Sequence, residues 1–309
     1  MSFFPPLCYN DRKPLFPTVL FCVFMDCLEN NGFSPLEVKH MKTSPFLIFI
    51  SALLCSVAGF FLRLRQLSHE LLPGGFLAEG SYMHILLLVL TAVLLAGLCL
   101  LIFPLKQRAS WRNAFSPAPF ADIALLTASL GLLVGNLMHL ASDNELPIAA
   151  VSAPKMISFL NTALPILGLL SAGCLAAFAI TRLLGKKPSP LFFMVISIWL
   201  TVRLIVYFQS WNTDPSIHVY CYQLLAAICT MLGSFQLAGF SFDKGKRRMS
   251  LFWCLSAVFF CAISTADVLR AGSFSEILLT GSLLLSMIAA SFLLLFCPAG
   301  RPKALQEDV

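Results

Sequence analysis

The chain has 309 residues, 58% of them apolar and 12% charged, with a formal net charge of +6. Soluble domains carry roughly 25% charged residues, so this composition excludes an ordinary water-soluble globule. Phenylalanine, at 28 copies, far outnumbers the five tyrosines and four tryptophans, which suits helices that face lipid.

Residues 1–43 differ in composition from the remainder of the chain. They hold Pro5, Pro6, Pro14 and Pro17, then a short apolar patch, Leu15–Met25. That patch is too short to span, since a helix needs about 20 apolar residues to cross roughly 30 Å of hydrocarbon. An interfacial or disordered segment is expected. Met41-Lys42-Thr43, placed just before an apolar run, also reads as a natural start. From there, Ser56-Val57-Ala58 resembles a small-residue signal-peptidase site. The apolar continuation Gly59–Leu62 favours an uncleaved anchor.

Eight apolar blocks then fill residues 44–298, at roughly 45–65, 83–104, 120–140, 157–181, 190–210, 218–241, 250–270 and 277–297. In hydrocarbon only helices and closed barrels satisfy their backbones, and these blocks are too long and continuous for barrel strands. The expected fold is all-α: a polytopic transmembrane bundle followed by a short tail, 299–309. The fourth block contains Pro165, where tilt or a kink is expected.

The loops between blocks alternate in charge. Loops two, four and six carry Lys106, Arg108, Arg112, Arg182, Lys186, Lys187, Lys244, Lys246, Arg247 and Arg248. The remaining loops and their flanks carry Arg63, Arg65, Lys155 and Arg270. Positive loops stay in the cytoplasm, so both termini and the even loops are expected inside. The basic excess reads as contact with an anionic bilayer surface. It argues against nucleic acid as a partner, because no basic domain lies outside the membrane.

The 11 cysteines form no C-x-x-C pair and no zinc spacing. His69, His84, His139 and His218 gather at the outer end with Glu70, Glu79, Asp143, Glu145, Asp214 and Glu276. A metal or proton site could be built from these, but polar residues simply collect at helix ends, and that is the reading adopted. No metal and no cofactor is expected.

Charges inside the blocks are more informative. Arg203 lies about seven residues, or roughly 10 Å of helical rise, from the outer end. An arginine at the centre of a span costs about 2.5–3.5 kcal/mol on insertion scales. Trp199, Arg203, Tyr207 and Trp211 share one helical stripe, so stacking on the guanidinium is expected. Asp267 is the expected ion-pair partner, with Arg270 competing for it. Asp122 reads as an acid favoured by a helix N-terminus. The turn with Asp214, and then Tyr220 and Gln223, completes a candidate outer pocket of Trp199, Arg203, Tyr207, Trp211, Asp214, Tyr220, Gln223 and Asp267. Asn136 and Asn161 add amides, and Gly131-x-x-x-Gly135 suggests close helix packing.

The two halves also echo one another. Arg63-Leu64 parallels Arg203-Leu204, and Tyr82-Met-His-Ile-Leu-Leu parallels Tyr220-Cys-Tyr-Gln-Leu-Leu. A four-plus-four parallel repeat would explain this.

Arg203, Tyr207, Ser210-Trp211, Asp214-Pro215, Tyr220-Cys-Tyr-Gln-Leu-Leu-Ala226 and Gly239-Phe240 together resemble uncharacterised multi-pass membrane proteins of Gram-positive gut bacteria. The likeness runs from Met41 onward and includes Arg63-Leu-Arg-Gln66. It implies a bacterial cytoplasmic membrane and transfers no activity.

No H-E-x-x-H, G-x-S-x-G or glycine-rich phosphate loop is present, so an enzyme is the least favoured class. A transporter or permease-like protein for a small solute is expected. A sensor, assembly factor or accessory subunit is the alternative, and a membrane-protein partner or a homo-oligomer is left open.

Single cysteines in a cysteine-free background test the orientation. Positions 186 and 246 should be shielded from an impermeant thiol reagent in intact cells, and positions 143 and 214 should label. Labelling at 246 from outside would reverse the topology.

Overall fold

A computed structural model describes residues 45–69, 82–103, 105, 118–141, 155–186, 189–211, 217–242 and 245–296; for 155–162, 209–211, 217–220 and 271 it describes the backbone alone. The expectations for residues 1–43 and 299–309, and for Asp143 and Asp214, fall outside these residues.

Eight α-helices run in order: α1 Pro45–His69, α2 Tyr82–Ile102, α3 Pro119–Ala141, α4 Lys155–Leu183, α5 Phe192–Trp211, α6 Ile217–Ala238, α7 Arg247–Ala271 and α8 Phe274–Phe296. A 3-10 turn, Gly239–Phe242, follows α6. No strand occurs among the described residues. Seven helices are long and apolar enough to cross a membrane, and α5 is apolar over Phe192–Phe208.

Local chemistry explains the ends. α3 opens on proline, whose missing N–H costs nothing in a first turn, and Asp122 follows in that turn. α7 closes on Gly272 in the left-handed region (φ 74), with its N–H donated to the Val268 carbonyl at 3.1 Å. That conformation suits glycine. α4 continues through Pro165, and α1 continues through Ser56–Ala58.

The bundle is apolar outside as well as in its core, and most of its described polar helix residues are turned inward. Leu100, Phe120, Leu54 and Phe61 are exposed, whereas Ser171, Ser234, Ser250, Ser256 and Ser291 are fully buried. Several buried hydroxyls turn back on their own helices, as with Thr230 to the Ala226 carbonyl and Ser291 to the Met287 carbonyl, whereas Ser234 and Ser256 have no partner among the described residues. Such bonding satisfies hydroxyls where no water is present. A surface so rich in large apolar groups is stable only in lipid. The chain is a multi-pass integral membrane protein.

Neighbour packing arranges α3, α4, α5, α6, α7 and α8 as a closed ring, with α8 returning to α3. α1 lies outside it, against α7, and α2 lies against α1 and α7. α7 is therefore buried along nearly its whole length, from Leu251 to Val268. α2, which is apolar all round, leaves Ile85, Leu88, Val89, Val93 and Leu100 facing outward.

The α3–α8 seam that closes the ring depends on small residues. A methyl group on Gly131 would run into Ser282, and one on Gly135 would lie 2.9 Å from the Leu279 side chain. The G-x-x-x-G spacing is thus a packing surface. Gly168 of α4 makes room for Asn136 of α3, which donates its own amide to the Leu132 carbonyl at 2.7 Å.

The packing does not repeat between halves. A four-plus-four duplication that sets α1 along α7 would equally set α5 along α3. Those two helices do not pack on one another.

Candidate functional site

Two clusters of buried charge lie toward the end of the bundle where α1, α3, α5 and α7 finish. In the first, Arg203 of α5 is 4% exposed. Trp199 and Tyr207, one turn to either side, present their rings with centroids 5.4 and 5.0 Å from its Cζ. Spacing by four residues puts all three on one face, so the stacking expected from the sequence is present. The guanidinium donates from Nε to the Tyr207 hydroxyl at 2.8 Å and from NH2 to the Glu276 carboxylate. Tyr207 in turn donates to Glu276 Oε2 at 2.8 Å. His139 Nε2, from α3, stands 3.6 Å from the other oxygen, Oε1.

The expected Arg203–Asp267 pair is therefore replaced by Arg203–Glu276. Glu276 sits in the first turn of α8, and its extra methylene lets the carboxylate reach down to Arg203. α5 and α8 are not packed neighbours. The ion pair consequently crosses the interior of the ring rather than sealing a helix–helix seam.

Asp267 belongs to the second cluster. Its Oδ1 accepts from Arg63 Nε at 2.7 Å, and Arg63 NH1 donates to Gln66 Oε1 at 2.8 Å. The Arg63 guanidinium lies 4.9 Å from the Tyr222 ring centroid. Arg63 is 1% exposed and Asp267 7%, whereas Arg270, the expected competitor, is exposed. By loop counting alone, Arg63 is a flank of the first outer loop. The signal that could have found it is the run Ile48, Ala52, Ser56, Gly59, Arg63 and Gln66, the buried residues of α1 at spacings of three and four.

A narrow cleft lies inside the ring beside the first cluster. Arg203, Tyr207, Gln223, Ser264, Glu276 and Thr280 supply its polar lining, with Leu200, Val268 and Leu283 among its apolar walls. Its volume is about 20 Å³, room for about one water molecule. Arg203 NH1 and Trp199 Nε1 are buried with no hydrogen-bond partner among the described residues.

The candidate residues separate accordingly. Arg203, Tyr207 and Gln223 line the cleft, and Trp199 backs it. Asp267 is assigned to Arg63 instead. Trp211 and Tyr220 fall in α5 and α6, where their side chains are not described. Glu276 and His139, which sequence position marks only as end-of-helix residues, both join the network.

At the opposite, basic end, Arg182 of α4 pairs with Asp122 of α3, both buried. Asp122 thus does more than favour a helix dipole. Arg247 donates to the Leu294 carbonyl at 2.8 Å and the Leu295 carbonyl at 3.2 Å, closing the α8 C-terminus. Among the described residues no three His, Cys, Asp or Glu side chains converge as metal ligands.

No protein-family model matches the chain, and no curated protein or solved structure is significantly similar to it.

The pairing yields a test by denaturant unfolding in detergent. Arg63→Ala and Asp267→Ala should each cost about 3–5 kcal/mol, because each strands a buried charge. The double variant should cost clearly less than their sum. Arg203→Ala combined with Asp267→Ala should show far weaker coupling. Equal coupling in both cycles would contradict the assignment.

Proposed function

We propose that this protein is a permease-like transporter of a small solute in a bacterial cytoplasmic membrane, with no chemistry of its own on the solute. One observation carries the reading: a buried ionic network lies beside a cleft inside the helix ring, not against lipid and not within a seam. Ionisable groups at membrane depth are costly and mark solute or proton pathways. Arg203, Glu276 and Tyr207 would contact the solute, with Gln223 and Thr280 on facing helices. A cross-ring ion pair between helices that do not otherwise pack can open without dismantling a helix interface. Opening it is the conformational step that transport would require.

The small cleft volume favours a second reading, that of an accessory or assembly subunit in which the network is a fixed brace. Uptake into proteoliposomes separates the two. On the transport reading, at least one solute in a panel of labelled small metabolites accumulates faster than in protein-free liposomes. Gln223→Leu and Thr280→Val, which change the cleft wall without stranding a charge, should each slow that uptake about tenfold, the equivalent of about 1.4 kcal/mol. A stable membrane partner recovered with the chain, and no uptake across the panel, would favour the accessory reading.

A further inference from the structure

We propose that the basic end of α2 and α7 holds one anionic phospholipid, its phosphate on Arg248 and an acyl chain along the outward face of α2. The site is separate from the cleft and independent of the transport reading. Two arginines at this end already have their acceptors. Arg182 takes Asp122, the one acid among the described residues there, and Arg247 takes the last carbonyls of α8. Arg248 meets no carboxylate. Its Nε donates to the Leu105 carbonyl, just past the end of α2, and its Cζ lies 5.3 Å from the Phe103 ring centroid. These two contacts fix the plane of the guanidinium. They leave its outer edge, NH1 and NH2, without a partner among the described residues. The side chain is half-exposed, so that edge is open to the headgroup layer. Closing the end of α2 accounts for Nε, but it does not meet the charge. Two parallel N–H groups on a fixed plane match two oxygens of a phosphate. Lys186 and Lys246 at the same end are exposed, and an ammonium offers no such fork.

The apolar part of the site begins beside the guanidinium. Val93, Ala96, Leu100 and Phe103 are all exposed on α2, and their spacing of three and four puts them in one stripe. Leu100 is 77% exposed and Phe103 56%. From Val93 to Phe103 the helix rises about 15 Å, half of a hydrocarbon core roughly 30 Å thick. The stripe therefore has the depth of one leaflet, and it starts at the arginine as an acyl chain starts at its phosphate. A soluble phosphate gains nothing from this stripe. A zwitterionic lipid brings its own cation to the phosphate and so gains less from Arg248.

Native mass spectrometry of the full-length protein in a non-ionic detergent tests this, with phosphatidylglycerol and phosphatidylcholine of identical chains as probes. The first phosphatidylglycerol should bind about fivefold more tightly than the first phosphatidylcholine, the scale of one basic residue at a membrane surface. Arg248→Gln keeps a donor for the Leu105 carbonyl but no charge, and should erase that preference. Lys186→Gln should retain it. A second measurement leaves Arg248 in place. A benzophenone amino acid at Leu100 should photo-capture phosphatidylglycerol over phosphatidylcholine from an equimolar mixture. The same group at Ile180, which is exposed on α4, should show no preference. Equal binding of the two lipids, equal losses in Arg248→Gln and Lys186→Gln, or equal selectivity of capture at 100 and 180 would overturn the site. Complete displacement of phosphatidylglycerol by inorganic phosphate would also overturn it, and would assign Arg248 to a soluble anion.

Discussion

An arginine side chain stays charged in any protein environment, and in a bundle bathed by lipid it must find its counter-charge within the protein. Four arginines are buried among the described residues: Arg63, Arg182, Arg203 and Arg247. Each reaches a different acceptor, and each acceptor lies on another helix. Arg63 ties α1 to α7, Arg182 ties α4 to α3, Arg203 ties α5 to α8, and Arg247 ties the start of α7 to the end of α8. Apolar packing between helices has little directional preference when the solvent is itself apolar. The arginines supply what it lacks, since a helix rotated or shifted by one residue would strand a charge.

Three of these ties follow helix pairs that already pack, and they lock seams. Arg203–Glu276 alone joins helices that are not neighbours, so it holds open space between them. The cleft lies beside that bridge. Glycines at the α3–α8 seam draw the ring shut, and Asn136 fits where Gly168 leaves no side chain. The ring is tight on one side and bridged on the other.

The fold is largely legible in the sequence. All eight helices lie where uninterrupted apolar runs place them, because the length needed to cross hydrocarbon is written directly in hydropathy. Burial of Arg203, its stacking on Trp199 and Tyr207, and the role of Gly131 and Gly135 are also readable, because helical periodicity fixes which side chains share a face. The partners are not. Asp267 and Glu276 are both acids near the same end, and choosing between them requires the rotation of α7 and the ring order, which single-helix patterns do not encode. The burial of Arg63 and its pairing with Asp267 are missed for a related reason: charge counting by loops treats a basic residue near a span end as outside the span. The four-plus-four likeness between Arg63-Leu64 and Arg203-Leu204 survives only in that both arginines are buried and acid-paired; the helices that pair with them are not equivalent in such a repeat.

The central claim is that Arg203 and Glu276 form one electrostatic bridge across the ring. Exchanging the two charges tests it most directly. Arg203→Glu and Glu276→Arg should each lower the Tm in detergent, since each places two like charges together. The variant carrying both should recover at least about half of the larger loss, because opposite charges again face one another. A doubly exchanged protein that melts below either single variant would contradict the bridge.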